Sequence, residues 1–512
     1  IAYQKNDERA LEQFTITDAA RPELPGHRFA YPRPGKANVD VRVFMVSADG
    51  GQHRELTWDR EAYPYLAKVA WGGELIMLVQ SRDQGSQILL RVDPQTGQTR
   101  TLFEERDPAW LNIHDSTPRF SEDARSFFWA TEEGGAWRLE RKHLADDGLS
   151  IVRRQVLVGE KTGFHTLVHI DEARGWLWFL GGQDPAQLHL FRASLDGSGN
   201  ATQVTSGIAW HEASFAHGGE VIALTTTSLD QLPETTVHTV GPKGELTAGA
   251  TLPIEAETPS RAPAVELRHA DGLRAAVVRP EGFREDQKYP VILYVYGGPG
   301  VSLVRAQMAA WFVPQWLADH GFIVVSVDGR GTPRKGRDFE RALKDRFHEV
   351  PLEDQVRGLE ALARSIPQMD TDRVGVYGWS FGGYMSALSV LRRPDIFKAG
   401  VAGAPVVDWL YYDTHYTERY LGVPEDADDT TYRQGNLLTY AKDLDRPLLL
   451  VHGSADDNVY FAHTLQLADA LFRAGRPFEM LPLVGLTHQV SDPTVREALF
   501  EWIVRFLGAR LW

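Results

Sequence analysis

The hexapeptide GWSFGG at residues 378–383 restricts the fold of this chain more than any other stretch. It fits G-x-S-x-G, follows the apolar run VGVYG (374–378) and precedes the apolar stretch YMSALSVLRR. A serine flanked by glycines at a strand-to-helix junction requires a tight turn in which backbone crowds both sides and leaves no room for a Cβ. Such a turn holds Ser380 Oγ in the open, and the N–H of Phe381 can face charge developing on a reacting carbonyl. The five-residue pattern alone occurs in unrelated chains. Its strand and helix flanks give it meaning here.

Around this turn, from about residue 256, the chain alternates buried-strand and helix patterns. VILYVY (291–296), FIVVSV (322–327), VGVYG (374–378) and PLLLVHG (447–453) read as strands, with DQVRGLEALARS and YMSALSVLRR as helices. Alternation of this kind predicts a mostly parallel sheet covered by helices on both faces, an α/β-hydrolase domain over 256–512.

Residues 1–255 follow a different pattern: short strand-like runs separated by turn clusters such as ADGG, DPQTG, LDGSGN and GPKG. A turn followed by an apolar strand recurs in GGELIMLV, RSFFWAT, RGWLWFL and GEVIALT. Their first apolar residues, Leu75, Phe127, Trp176 and Val221, stand 45–52 residues apart. A loose period with several strands per unit predicts blades of a β-propeller rather than a generic sandwich. The same alignment sets Ile1 at the equivalent strand of an earlier blade, with an insertion, LEQFTITDAARPELPGHRFAYPRPG, before the next unit. The expectation is therefore the C-terminal portion of a propeller, with N-terminal material missing. Pro253 and ETPSRAPA (257–264) form the expected linker.

Composition narrows the chemistry. At 512 residues the chain can bury two sizeable cores, and its 43% hydrophobic and 24% charged residues suit a globular protein. A net charge of −15 argues against nucleic acid or anionic membranes as partners. No apolar run approaches the ~18 residues of a membrane span. The absence of cysteine excludes disulfides, thiolate metal sites and cysteine nucleophiles. No metal or organic cofactor is expected.

A serine nucleophile needs a base, and the base an orienting carboxylate, in the chain order Ser, Asp, His for this fold. SADDNV follows the strand PLLLVHG, placing Asp456 and Asp457 at a strand end; spacing does not choose between them. VGLTHQ then offers His488 on a loop before the final helix. The steps are 76 residues from Ser380 to Asp456 and 32 from Asp456 to His488, room for one crossover each. His452, inside a strand end, reads as structural.

With GWSFGGY, HGSADDNV and GLTH in this order, the chain resembles the dipeptidyl peptidase IV branch of the prolyl oligopeptidase family. VYGGPG (295–300), DGRGT (328–332) and APVVDWLYYDTHYTERYLG (404–422) extend the likeness over the whole second half, and YPRPGKANVDVRVF carries it into the first. The resemblance implies an eight-bladed propeller capping an α/β-hydrolase. It also implies release of dipeptides from peptides with a free N-terminus, with proline or alanine preferred second. It selects Asp456 over Asp457 as the triad acid. It makes Tyr296 an oxyanion donor beside the Phe381 N–H, a role that suits a neutral phenol in a dry pocket. Val406, Trp409, Tyr412, Tyr416 and Val459 would line a slot for the proline ring, and Asn458 would bind the carbonyl of the substrate's first residue. Without the family, WLYYDTHY reads as an amphipathic helix packing its rings into a core.

Two departures stand out. Phe381 replaces a tyrosine found in many relatives, which removes a hydroxyl contact. The resemblance implies that the family's pair of glutamates for the substrate ammonium lies before Ile1; the visible pairs Glu104–Glu105 and Glu132–Glu133 sit beside turns and read as solvated. The resemblance also implies a homodimer, with the insertion near residues 11–30 as a pairing arm. It favours a periplasmic or secreted location and leaves a cytoplasmic one open. Rival readings are a related oligopeptidase or acylaminoacyl peptidase, and a non-catalytic propeller–hydrolase binding protein.

Overall fold

In the computed structural model each recurring apolar run is the second strand of a four-stranded antiparallel sheet. Four such sheets follow one another, over Tyr65–Arg106, Arg119–Val158, Phe164–Gln203 and Ala209–Thr251. The structure describes residues 1–17, 21, 23–71, 74–197, 201–426 and 429–512. The glycines of GGELIMLV, the end of the LDGSGN turn and parts of the inserted arm lie outside these. A three-stranded sheet of Ala2–Asp7, Asp40–Met45 and Arg54–Leu56 comes first, and a hairpin of Gln13–Ile16 and His27–Ala30 interrupts it.

Why the recurring runs are continuously apolar, instead of alternating, follows from their packing. Phe127 and Trp129 face the preceding sheet, joining Ile76 and Leu78, while Phe128 and Ala130 face the next one, joining Leu177 and Phe179. Trp178 and Leu180 in turn meet Ile222 and Leu224 of the fifth sheet. The second, third and fourth sheets are therefore buried on both faces between their neighbours, the stacking of propeller blades.

Beyond Thr251 one sheet of eight strands takes over. Its strands are β1 (Val265–Ala270), β2 (Leu273–Val278), β3 (Tyr289–Tyr294), β4 (Ile323–Asp328), β5 (Met369–Trp379), β6 (Phe397–Gly403), β7 (Leu448–Gly453) and β8 (Glu479–Leu483). They lie in the order β1-β2-β4-β3-β5-β6-β7-β8; β1–β2 and β2–β4 pair antiparallel and the rest parallel. Helices Val350–Ser365, Phe381–Arg392 and Ala462–Arg473 cover one face, and Phe312–Asp319 and Pro493–Leu511 the other. Burial on both faces accounts for the unbroken apolar runs of β3, β4 and β7.

The two halves meet through charged groups withdrawn from water. Arg82 of the propeller makes two 2.7 Å bonds to the buried carboxylate of Glu418, which also accepts the Gly35 N–H. Arg341 of the hydrolase reaches Glu132 at 3.0 Å, Asp107 at 3.3 Å and the Trp110 carbonyl. Asn112 donates to both Glu132 and Glu340. The reading of the two glutamate pairs as solvated is thus only half right. Glu104 and Glu133 are exposed, but Glu132 is buried in this seam, and Glu105 is engaged by Gln87, Trp129 and Thr131.

Candidate active site

Ser380 sits where β5 ends and the helix Phe381–Arg392 begins, with φ 61° and ψ −120°. A positive φ at a non-glycine residue costs about 1–3 kcal/mol and persists only where the surroundings over-determine it. Here they do. The Ser380 N–H donates to the Gly403 carbonyl at 2.8 Å, and its carbonyl accepts the Tyr384 N–H at 3.0 Å. A Cβ on Gly383 would lie 2.1 Å from the Gly403 oxygen, and one on Gly378 2.3 Å from that of Val295. The glycines of the motif are present because neighbouring backbone occupies their side-chain space. Ser380 is partly exposed, and its Oγ has no hydrogen-bond partner among the described residues.

The loops after β7 and β8 are laced together. Ser454 N donates to Leu483 O, Ala455 N to Leu486 O and Gly485 N to Ser454 Oγ. Gly453 permits this approach, since a Cβ there would meet the Leu486 oxygen at 2.4 Å. The lacing brings His488 Nδ1 to 2.7 Å from Asp456 Oδ2. A carboxylate only accepts, so Nδ1 carries the hydrogen and Nε2 is left with its lone pair. Asp457 is exposed and takes no part in this pair. Trp379 Nε1 donates to the His488 carbonyl at 3.0 Å, tying the histidine loop to the residue preceding the serine.

Asp456 is buried with a full set of donors. Its Oδ1 accepts the Asn458 and Val459 N–H groups, both at 2.9 Å. Burial pushes the carboxyl up, but bonds from His452 and His488 outweigh it and bring the group down to about 2. It is an anion throughout the physiological range.

The segment 404–422 is not one amphipathic helix. Asp408 caps a short turn, Trp409–Tyr411, and Asp413 caps the helix Thr414–Leu421 by accepting the Tyr416 N–H at 2.9 Å. Trp409 and Tyr416 stack with centroids 6.2 Å apart, and Tyr412 meets Tyr416 edge-on at 5.4 Å. Trp409 also packs on Phe381, which faces Tyr296 at 5.9 Å. Val406 and Val459 are buried. Tyr412 donates its hydroxyl to Asn458 Oδ1 at 3.1 Å. The Tyr296 hydroxyl has no partner among the described residues, and burial, then Tyr420, raises it to about 12, so it stays a neutral donor.

Sequence reasoning missed two contacts. Tyr31 of the propeller places its hydroxyl 3.4 Å from the Asn458 carbonyl, and its ring stands edge-on to Tyr460 at 4.7 Å. Phe14 and Phe29 of the inserted hairpin pack on the same Tyr460 ring. His452 also proves to lie against Asp456, at 3.2 Å. No motif signals the first contact, because 427 residues separate its partners.

A strained serine, an Asp–His pair on adjoining loops and a propeller joined to an α/β sheet define a propeller-capped hydrolase of the serine type. Residues 308–511 match the model of the prolyl oligopeptidase family, and residues 1–233 that of the dipeptidyl peptidase IV N-terminal region. The chain belongs to the dipeptidyl peptidase IV branch of the prolyl oligopeptidase family. Dipeptidyl peptidase 8 of Mus musculus is 28% identical over 594 aligned positions, covering 100% of this chain and 66% of the relative; the Homo sapiens protein of that name gives the same figures. The chain thus spans about two thirds of the length of these relatives. The fold matches that of a Bacteroides ovatus protein assigned as a dipeptidyl aminopeptidase IV, with TM-score 0.90, 26% identity and coverage of 100% of this chain and 75% of that one. Dipeptidyl peptidase 4 of Porphyromonas gingivalis has the same fold, with TM-score 0.89, 23% identity and coverage of 100% and 73%.

Proposed function

We propose that this chain is the catalytic part of a serine peptidase that releases N-terminal dipeptides, preferring proline or alanine as the second residue. The observation that carries the reading is the 2.7 Å Asp456–His488 bond on a loop tied through Trp379 to the turn bearing Ser380. His488 Nε2 takes the proton of Ser380 as Oγ attacks the carbonyl after the second residue, and the Ser–His hydrogen bond closes as substrate seats. Tyr296 and the Phe381 N–H stabilise the oxyanion. His488 returns the proton to the leaving amine, and water then cleaves the acyl-enzyme on Ser380 to free the dipeptide.

Specificity rests on the rings. Trp409, Tyr412 and Tyr416, with Val406 and Val459, form a slot that accepts a compact ring and rejects larger side chains. Because the Tyr412 hydroxyl occupies Asn458 Oδ1, the amide nitrogen of Asn458 remains to donate to the carbonyl of the substrate's first residue. The phenol therefore sets which end of the amide the substrate meets.

Three measurements test the proposal. Hydrolysis of a Gly-Pro amide is expected, with its N-acetylated form cleaved far more slowly; equal rates would reject the dipeptidyl assignment. Ser380→Ala is expected to lower kcat at least ~10⁴-fold, and unchanged peptidase activity would reject the mechanism. A homodimer, with the inserted hairpin as pairing arm, is part of the same proposal; gel filtration showing only monomer would contradict it.

A further inference from the structure

We infer that His452 is a positioning residue of the reaction, its Nε2–H locking the Asp456 carboxylate against His488 and holding the pocket wall with the same ring. The inference rests on the triad reading given above. His452 is the penultimate residue of β7 and is fully buried. Its Nε2 lies 2.7 Å from the Val459 carbonyl and 3.2 Å from Asp456 Oδ2. A carbonyl only accepts, so Nε2 carries the hydrogen, which is directed at the Val459 carbonyl with Asp456 Oδ2 beside it at 3.2 Å. Nδ1 is 2.7 Å from Thr464 Oγ1, whose hydroxyl can donate to it and leave the ring neutral.

The bonds form a closed circuit. Val459 N donates to Asp456 Oδ1, and the Val459 carbonyl accepts from the ring that also faces Oδ2. A carboxylate offers about four lone-pair sites. Asn458 N, Val459 N and His488 Nδ1 occupy three, and His452 Nε2 stands against Oδ2 at 3.2 Å, so rotation of the carboxylate breaks bonds on both oxygens and moves Oδ2 off the His452 ring. A hydrogen-bond donor held against a buried charged group in this way is worth about 10–100-fold in rate. The other ionisable groups around Asp456 are Tyr31, Tyr412, Tyr460, His463 and the exposed Asp457. None of the phenols carries charge at neutral pH.

Removing the His452 N–H leaves Oδ2 to His488 alone. The carboxylate becomes more basic, the Asp–His pair holds its protons more tightly, and the acid limb of the rate profile moves to higher pH. His452→Phe, which fills the space without a donor, is expected to lower kcat for a Gly-Pro amide about 10–100-fold. KM should stay within about twofold, and the acid limb of kcat/KM should rise. His452→Gln, which restores an N–H, should recover most of the rate. Unchanged kcat and pH profile in folded His452→Phe would overturn the inference, as would a Gln variant no better than Phe. If His452→Phe does not fold, His452→Met, smaller and also without a donor, provides the test: an upward shift of the acid limb supports the inference and an unmoved profile overturns it. Ser380→Ala separates the two levels, since an active Ser380→Ala enzyme defeats the triad itself. An inactive one beside an unaffected His452→Phe defeats only the positioning role.

Discussion

Around Ser380 the chain is held by backbone: the serine N–H on the Gly403 carbonyl, glycines where carbonyls intrude, and two loops laced by main-chain bonds. At the seam between propeller and hydrolase the chain is held by charge, with Arg82 on Glu418 and Arg341 shared by Glu132 and Asp107. The first arrangement fixes the serine through backbone groups that do not titrate. The second joins two domains through groups whose strength depends on protonation and on the partner left behind. The pocket draws on both, because the helix bearing Tyr416 is fixed from the propeller side through Glu418.

The backbone-built region should be the less forgiving. Gly383→Ala must displace the Gly403 carbonyl, and a loss of roughly 3 kcal/mol or more, with activity abolished, is expected from overpacking at a strained turn. Thermal unfolding and turnover check this; a stable, active variant would mean that the elbow is softer than its contacts imply. The seam should show an asymmetry. Arg82→Met strands a buried carboxylate and should cost about 3–5 kcal/mol, whereas Glu418→Gln leaves a partly exposed guanidinium and should cost about 1–2 kcal/mol. Denaturant unfolding of the pair reads the difference, and equal costs would place the strength of the contact elsewhere.

A pH test separates the regions further. Burial first, and then the charge of Glu132, push Glu340 well above the ordinary carboxylate range. A carboxyl raised in the folded state adds stability that is complete below the unfolded value and lost as pH rises through the folded one. Glu340→Gln should therefore gain stability relative to wild type between about pH 5 and pH 8. An equal difference in melting temperature at both pH values would contradict this. The smallest effect is expected for Trp379→Phe, which removes the tie to the His488 carbonyl and should lower kcat roughly 3–10-fold, the worth of one hydrogen bond.

The same contrast explains what was legible in the chain. GWSFGG announces its own turn because the fold demands glycine there, and ADDNV and GLTH fall at strand ends that apolar runs locate. The choice of Asp456 over Asp457 came from family likeness and not from spacing; the physical difference is that Asp457 faces water while Asp456 is wrapped by the turn that follows it. Strand β6, FKAGVAG, carries no run of branched residues, because the Trp379 ring lies against Gly403 and only a small residue fits beneath it. The seam was the least legible part. Glu132 beside a turn has the look of a solvated side chain, and only the approach of Arg341, 209 positions away, buries it.

The central claim, that backbone constraint at one turn makes Ser380 the nucleophile of this chain, has a direct measurement. Treatment with a fluorophosphonate, followed by mass spectrometry of the labelled peptide, should show one equivalent on Ser380, and His488→Ala should label far more slowly. Peptide hydrolysis that persists with Ser380 unlabelled, or stoichiometric label on another serine, would contradict it.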